Sequence, residues 1–126
     1  MRGVVAFTPA SFVSKPPSWS AIPVREGLDY EDAWAEVVDV LARKFDLEEI
    51  SKDGGYVRTS WIHNWENGRV HDETYRVRAT AKFSPRRDAV DVKTEAQVRI
   101  EGTWQVGMDM RLMEEVRTSV QGAVGR

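Results

Sequence analysis

Between Thr74 and Trp104 the chain alternates apolar and polar residues with little interruption, and this period of two constrains the rest of the molecule. Tyr75, Val77, Ala79, Ala81 and Phe83 fall on one side of the first run, with Arg76, Arg78, Thr80 and Lys82 on the other. After Ser84-Pro85-Arg86-Arg87 the pattern resumes, setting Val90, Val92, Thr94, Ala96, Val98 and Ile100 against Asp91, Lys93, Glu95, Gln97 and Arg99. Alternation of this length marks half-buried strands, and two such runs around a short polar tip predict one long β-hairpin. With the tip at Arg86-Arg87, Phe83 faces Val90, Ala81 faces Val92, Val77 faces Ala96 and Tyr75 faces Val98. The same register sets Lys82 against Asp91 and Arg78 against Glu95. A slip of one residue would oppose apolar to polar side chains along the whole ladder. Each cross-strand charge pair adds only about 0.2–1 kcal/mol, so apolar matching chooses the register and charge matching agrees with it.

The 126 residues suit one domain with one core. A formal net charge of −2 gives no global basic field to attract a phosphate backbone. Cysteine is absent, which removes disulfides, thiol nucleophiles and zinc–thiolate sites. No apolar run approaches the roughly 18 residues of a membrane span. Met1 to Phe7 begins like a signal sequence, but its apolar run of about four residues is shorter than the ~7 such a sequence needs.

Residues 1–17, with Pro9, Pro16 and Pro17 among small polar residues, read as a flexible arm, and residues 18–126 as a single α+β domain. Trp19–Val24 is either a first strand, confined to an edge or strand end by Pro23, or an extended lead-in without ladder bonds. A helix follows, with Asp29 as N-cap and Tyr30, Ala33 or Trp34, Val37 or Val38, Leu41 and Phe45 at helical spacing. That stripe makes Trp34 a core residue rather than a ligand platform. Leu47–Ser51 predicts a short strand, turned by Lys52-Asp53-Gly54-Gly55 into a strand over Tyr56–Trp65.

The register of that last strand is open at this level. A strict two-residue turn at Asn67-Gly68 pairs Trp61 with Thr74 and Val57 with Arg78, on the polar face. A one-residue bulge or an odd-length loop carries Val57, Thr59 and Trp61 to the core face instead, and the bulge is the preferred reading. Without it, Trp61 and Trp65 form an exposed aromatic patch. Past Gly102, Trp104 and Val106 extend the long hairpin's second strand, which Gly107 breaks. Asp109 then caps a closing helix to about Val124, with Leu112 or Met113, Val116, Val120 and Ala123 or Val124 inside. The methionines at 108, 110 and 113 read as adaptable packing. The predicted architecture is an α+β two-layer sandwich in the order (β)-α-β-β-β-β-α. Its antiparallel meander has four strands, or five if Trp19–Val24 pairs, with both helices on one face.

Chemistry-bearing patterns are sparse. His63 and His71 flank Asn67-Gly68, with Glu66 and Asp72 nearby, but nothing in their spacing fixes a metal geometry, and a solvated loop is the simpler reading. The carboxylates are accounted for by capping and cross-strand pairing, and no phosphate-cradling loop or nucleophile elbow is present. No catalytic residue, cofactor or metal is assigned. Tyr56, Trp61 and Trp65 beside Arg76 and Arg78 raise the question of nucleic-acid stacking. Local neutralisation by Asp91 and Glu95 and the acidic chain argue against it.

Asp29-Tyr30-x-x-Ala33-Trp34-x-x-Val37-x-x-Val40-Leu41, followed by Asp53-Gly54-Gly55-Tyr56-Val57-x-Thr59-x-Trp61, resembles the bacterial envelope lipoprotein domains of the BamC-like type. The resemblance covers roughly residues 20–126 and implies a helix-on-sheet domain at the periplasmic or outer membrane surface. It implies action by protein–protein contact with an envelope partner rather than catalysis. A lipid-bearing cysteine and a second domain are both missing, so the expectation is a generic envelope lipoprotein-like domain whose tether was removed or never existed. The expected contact surface comprises Tyr56, Trp61, His63, Trp65, His71 and Arg76. Two rivals are a small apolar-ligand carrier, its cavity lined by Trp34, Trp61 and Trp104, and a small hydrolase using His63 and His71.

Overall fold

The computed structural model describes residues 8–63 and 74–126. At its centre the predicted long hairpin is present in the predicted register. Strand β6 (Tyr75–Phe83) pairs with β7 (Ala89–Ile100), and Tyr75–Val98, Val77–Ala96, Ala81–Val92 and Phe83–Val90 all face one another. Arg87 turns the tip with a positive φ of 62°. Tyr75, Val77, Ala79, Ala81, Phe83, Val90, Val92, Ala96 and Val98 of this hairpin are all buried.

Around it the sheet is larger than expected. Ten elements are described: β1 (Phe12–Val13), β2 (Ser20–Pro23), α1 (Tyr30–Ala42), β3 (Leu47–Ser51), β4 (Tyr56–Thr59), β5 (Ile62–His63), β6, β7, β8 (Thr103–Asp109) and α2 (Met110–Val124). The class is α+β, but among the described residues the antiparallel sheet has eight strands, not four or five. Its path is β1-β8-β7-β6-β4-β3, with β2 on β7 and β5 on β6.

Three differences from expectation have definite causes. First, the chain reverses at Glu101-Gly102, both at positive φ (51° and 81°), so Ile100 faces Thr103 and β8 is a separate strand. An X-Gly pair in this conformation is the tight hairpin turn that matches strand twist. Gly107 does not end the strand, which runs on to Asp109. Second, β4 and β5 are one strand interrupted at Ser60-Trp61. Val57 faces Ala81 whereas Ile62 faces Val77, a slip of one residue. The side-chain oxygen of Thr59 accepts the Ala79 N–H at 3.0 Å, replacing a ladder bond where the chain bows. The expected bulge therefore exists, but it carries only Val57 and Thr59 to the core and turns Trp61 outward. Third, the expected arm is docked from Phe12, because β1 pairs with the end of β8 and Phe12 packs edge-on against Tyr75.

Where β8 leaves the sheet to become α2, β2 takes its place beside β7, and Ser18 bonds the sulfur of Met108 at the joint. Pro23 closes β2 at a strand end. Both helices start as predicted. Asp29 accepts from the Asp32 N–H, and Asp109 accepts from the Leu112 N–H, each at 2.9 Å. Ala33, Trp34, Val37 and Leu41 from α1 and Leu112, Met113, Val116, Val120 and Val124 from α2 join the apolar sheet face in one core cluster. Asp109 is fully buried, and its carboxylate also takes hydrogen bonds from the hydroxyls of Tyr75 and Ser11.

Four of the residues that carry the envelope-domain resemblance, Tyr30, Trp34, Asp53 and Gly55, meet at one corner. Tyr30 packs edge-on to Phe83 with ring centres 5.1 Å apart, Trp34 lies 6.2 Å from the same ring, and Arg87 stacks 4.4 Å over Tyr30. Arg87 also donates to the Asp53 carbonyl at 2.7 Å. A Cβ on Gly55 would stand 2.5 Å from the Arg87 guanidinium. The motif is the corner where α1, the β3–β4 turn and the hairpin tip are fastened together.

Two glycines give opposite expectations for substitution. At Gly107 a Cβ would lie 2.3 Å from the Val13 carbonyl oxygen, so Gly107→Ala must displace β1. At Gly122, inside α2, it would meet open space. Urea denaturation is expected to show Gly107→Ala destabilised by about 1–3 kcal/mol, the range of overpacking. Gly122→Ala should instead gain up to about 1 kcal/mol of helix propensity.

Candidate functional site

One side of the sheet lies beneath the helices, and the other carries the polar set of β6 and β7. The sites singled out in the sequence sort accordingly. Arg76 and Arg78 project outward from β6, and Tyr56 and Trp61 join them from the neighbouring strand. His63 sits exposed at the end of β5. Trp65 and His71, with Glu66 and Asp72, lie outside the described residues. Among the described residues no group of three or more His, Asp or Glu side chains could hold a metal ion.

Across the outer face runs a continuous row of alternating guanidinium groups and indole rings. Arg78 lies 4.3 Å from the centre of the Trp61 ring, and Arg76 lies 4.5 Å from the same ring. Arg76 is also 4.1 Å from the Trp104 ring, which Arg99 approaches at 5.8 Å. The order is therefore Arg78, Trp61, Arg76, Trp104, Arg99. Cation–π contacts at such distances contribute roughly 0.5–1 kcal/mol each, and more where water is excluded.

The backbone explains this convergence. The bulge at Ser60-Trp61 turns Trp61 to the outer face, and the Glu101-Gly102 turn sets Trp104 opposite Arg99. Strand β7 lies between Arg76 and Trp104, and its Gln97 fixes the guanidinium by accepting from both Nε, at 2.8 Å, and an Nη nitrogen. Arg78 is held by an ion pair to Glu95, whose side chain is as buried as its own. Desolvation, with the like charges of Arg78 and Arg99, lowers the pKa of Arg76 from the usual guanidinium value. A second, smaller contact repeats the theme, with the Lys93 ammonium 4.5 Å from the Trp19 ring.

Charge is thereby less balanced than the register alone implies. Arg78 and Glu95 form the expected bridge, but Lys82 and Asp91, although cross-strand neighbours, form no ion pair. On β6 and β7 five cations (Arg76, Arg78, Lys82, Lys93, Arg99) stand against two carboxylates (Asp91, Glu95), an excess of three. Arg58, on β4, is neutralised by Glu48 and Glu49 of the adjacent strand.

The three tryptophans expected around a ligand cavity do not come together. Trp34 is buried on the inner side of α1, while Trp61 and Trp104 lie on the far side of the sheet. A groove of about 540 Å³ between α1 and α2, floored by Val40, Gly122 and Ala123, includes none of them. Trp104, Arg78 and Arg99 were not among the contact residues read from sequence. The missed signal was Glu101-Gly102, which as a tight turn would have put Trp104 beside Arg99.

A scan against protein-family models matches none of them, and a search of curated proteins likewise gives no match. No helix among the described residues is long and apolar enough to cross a membrane.

If the row is a cooperative stack, its members couple. A double-mutant cycle pairing Arg76→Met with Trp104→Phe is expected to return a coupling energy of about 0.5–1 kcal/mol in urea denaturation. The same cycle run with Lys82→Met, remote from Trp104, should return no more than the roughly 0.3–0.5 kcal/mol within which distant sites add.

Proposed function

We propose that the protein is a non-enzymatic docking domain of the bacterial cell envelope, acting through protein–protein contact on the outer face of its sheet. The observation that carries this reading is the five-membered row of Arg78, Trp61, Arg76, Trp104 and Arg99. Tryptophan and arginine dominate binding hot spots because they offer large, rigid area together with directional hydrogen bonds. Here they are held in place before any partner arrives, which lowers the ordering cost of association. Val106, exposed on β8 and facing Gln97, extends the row with an apolar patch.

The envelope setting rests on the resemblance to BamC-like domains. The residues behind that resemblance build the Tyr30–Phe83–Arg87 corner, so they support a shared way of fastening helix to sheet. The setting and the mode of action are carried over with it. No constellation among the described residues favours the hydrolase reading, since His63 stands exposed at a strand end.

A photo-crosslinking residue placed at Val106 tests the docking face in cells that produce the protein. A discrete envelope-protein adduct is expected there, and it should disappear when Trp104→Ala is added. The same residue placed at Thr118, exposed on α2, should give no such adduct. Equal adducts from both positions, or none from Val106, contradict the proposal.

A further inference from the structure

Resting on the docking-face reading, we infer that the partner presents an acidic polypeptide segment, whose carboxylates are taken by Arg76 and Arg99 on either side of Trp104. A guanidinium carries five N–H donors in one plane. The Arg76 guanidinium carbon lies 4.5 Å from the centre of the Trp61 ring and 4.1 Å from that of Trp104, while its N–H bonds lie in its own plane, so its hydrogen bonds are made at its edge. Gln97 occupies two of those donors, and among the described residues no carboxylate takes the rest. Arg99, exposed at the open end of the row, has no carboxylate partner among the described residues either. A planar, edge-on guanidinium matches the two oxygens of a carboxylate.

Charge complementarity points the same way. The outer face of β6 and β7 has three more cations than carboxylates on a chain whose formal net charge is −2. The excess is therefore local, and an acidic segment meets attraction there and repulsion elsewhere. Asp91 and Glu95 interrupt the cations, so they form separated sites rather than a continuous track. Discrete carboxylates fit such spacing better than a phosphate backbone. Two guanidinium groups already lie over each indole ring, Arg76 and Arg78 at Trp61 and Arg76 and Arg99 at Trp104, and they compete with a nucleobase for its faces.

The probe is a Glu/Ser-repeat peptide, titrated into the full chain while NMR follows the indole N–H signals and the Arg76 Nε–H. Gln/Ser and Lys/Ser repeats and a short oligothymidylate serve as comparisons. The acidic peptide is expected to shift the signals of Trp61, Trp104 and Arg76, with binding that weakens as salt is raised. Arg76→Gln and Arg99→Gln should each weaken it about tenfold or more, the effect of losing one charge-assisted hydrogen bond. Arg99 is at the surface, so its variant remains informative if Arg76→Gln unfolds. Glu95→Gln, which releases Arg78, should tighten binding several-fold.

Oligothymidylate bound as tightly as the acidic peptide overturns the inference in favour of a nucleic-acid surface. Equal binding of the Gln/Ser repeat overturns it in favour of a neutral partner. No shift with any probe overturns the acidic assignment too, and an adduct from the Val106 crosslinker would then leave the docking face itself standing.

Discussion

The pairing of β6 with β7 is the constraint on which the rest of the structure depends. Its register is satisfied on both faces at once: Val77 against Ala96 and Phe83 against Val90 inside, Arg78 against Glu95 outside. A slip of one residue would drive Arg76 and Arg78 beneath the helices, where each unpaired charge costs several kcal/mol. Every neighbouring strand takes its bearings from this pair. β4 and β5 align on β6, and β8 and β2 share the far side of β7 end to end. The buried Asp109 then joins sheet to helix, capping α2 while taking the hydroxyl of Tyr75, the first residue of β6.

Once the apolar face is covered by α1 and α2, the chemistry of the molecule is left on the other face. Its organisation is more than a collection of solvated charges. Trp61 and Trp104 reach that face from different strands and enclose the Arg76 guanidinium, which gives up part of its hydration for two ring faces and the Gln97 amide oxygen. Such an arrangement is stiff, because each arginine is fixed by a ring and each ring by two arginines. A solvated face needs no such ordering, and a docking face benefits from it.

Much of this was legible in the residues. Both helices and their caps followed from Asp29, Asp109 and apolar spacing, and the central register followed from alternation. What escaped depended on breaks in that alternation. Glu101-Gly102 interrupts a pattern that otherwise runs on, so Trp104 was read as continuing the strand when it belongs to the next one. The face of Trp61 was left open for a related reason, because the position of a bulge is set by where a substitute hydrogen bond forms. The Thr59 hydroxyl that bonds Ala79 gives no periodic signal. The short strand β1 was hidden by the prolines on either side of it, and its pairing depends on Gly107 having no side chain. The cation–aromatic row inherits these difficulties, since its two tryptophans are the residues whose faces the breaks decide.

Cysteine pairs test the central register most directly, because the chain has no cysteine of its own. Thr80 and Lys93 are opposite one another across β6 and β7. Directly opposed residues bring their Cβ atoms to about 4.5–5.5 Å, a separation that small backbone adjustments bring within disulfide reach. Mild oxidation of Thr80→Cys/Lys93→Cys should form an intramolecular disulfide with the native fold retained. Thr80→Cys/Thr94→Cys should remain reduced, because Thr94 points to the opposite face. Efficient closure of the 80–94 pair, with the 80–93 pair open, would contradict the register and the sorting of chemistry that follows from it.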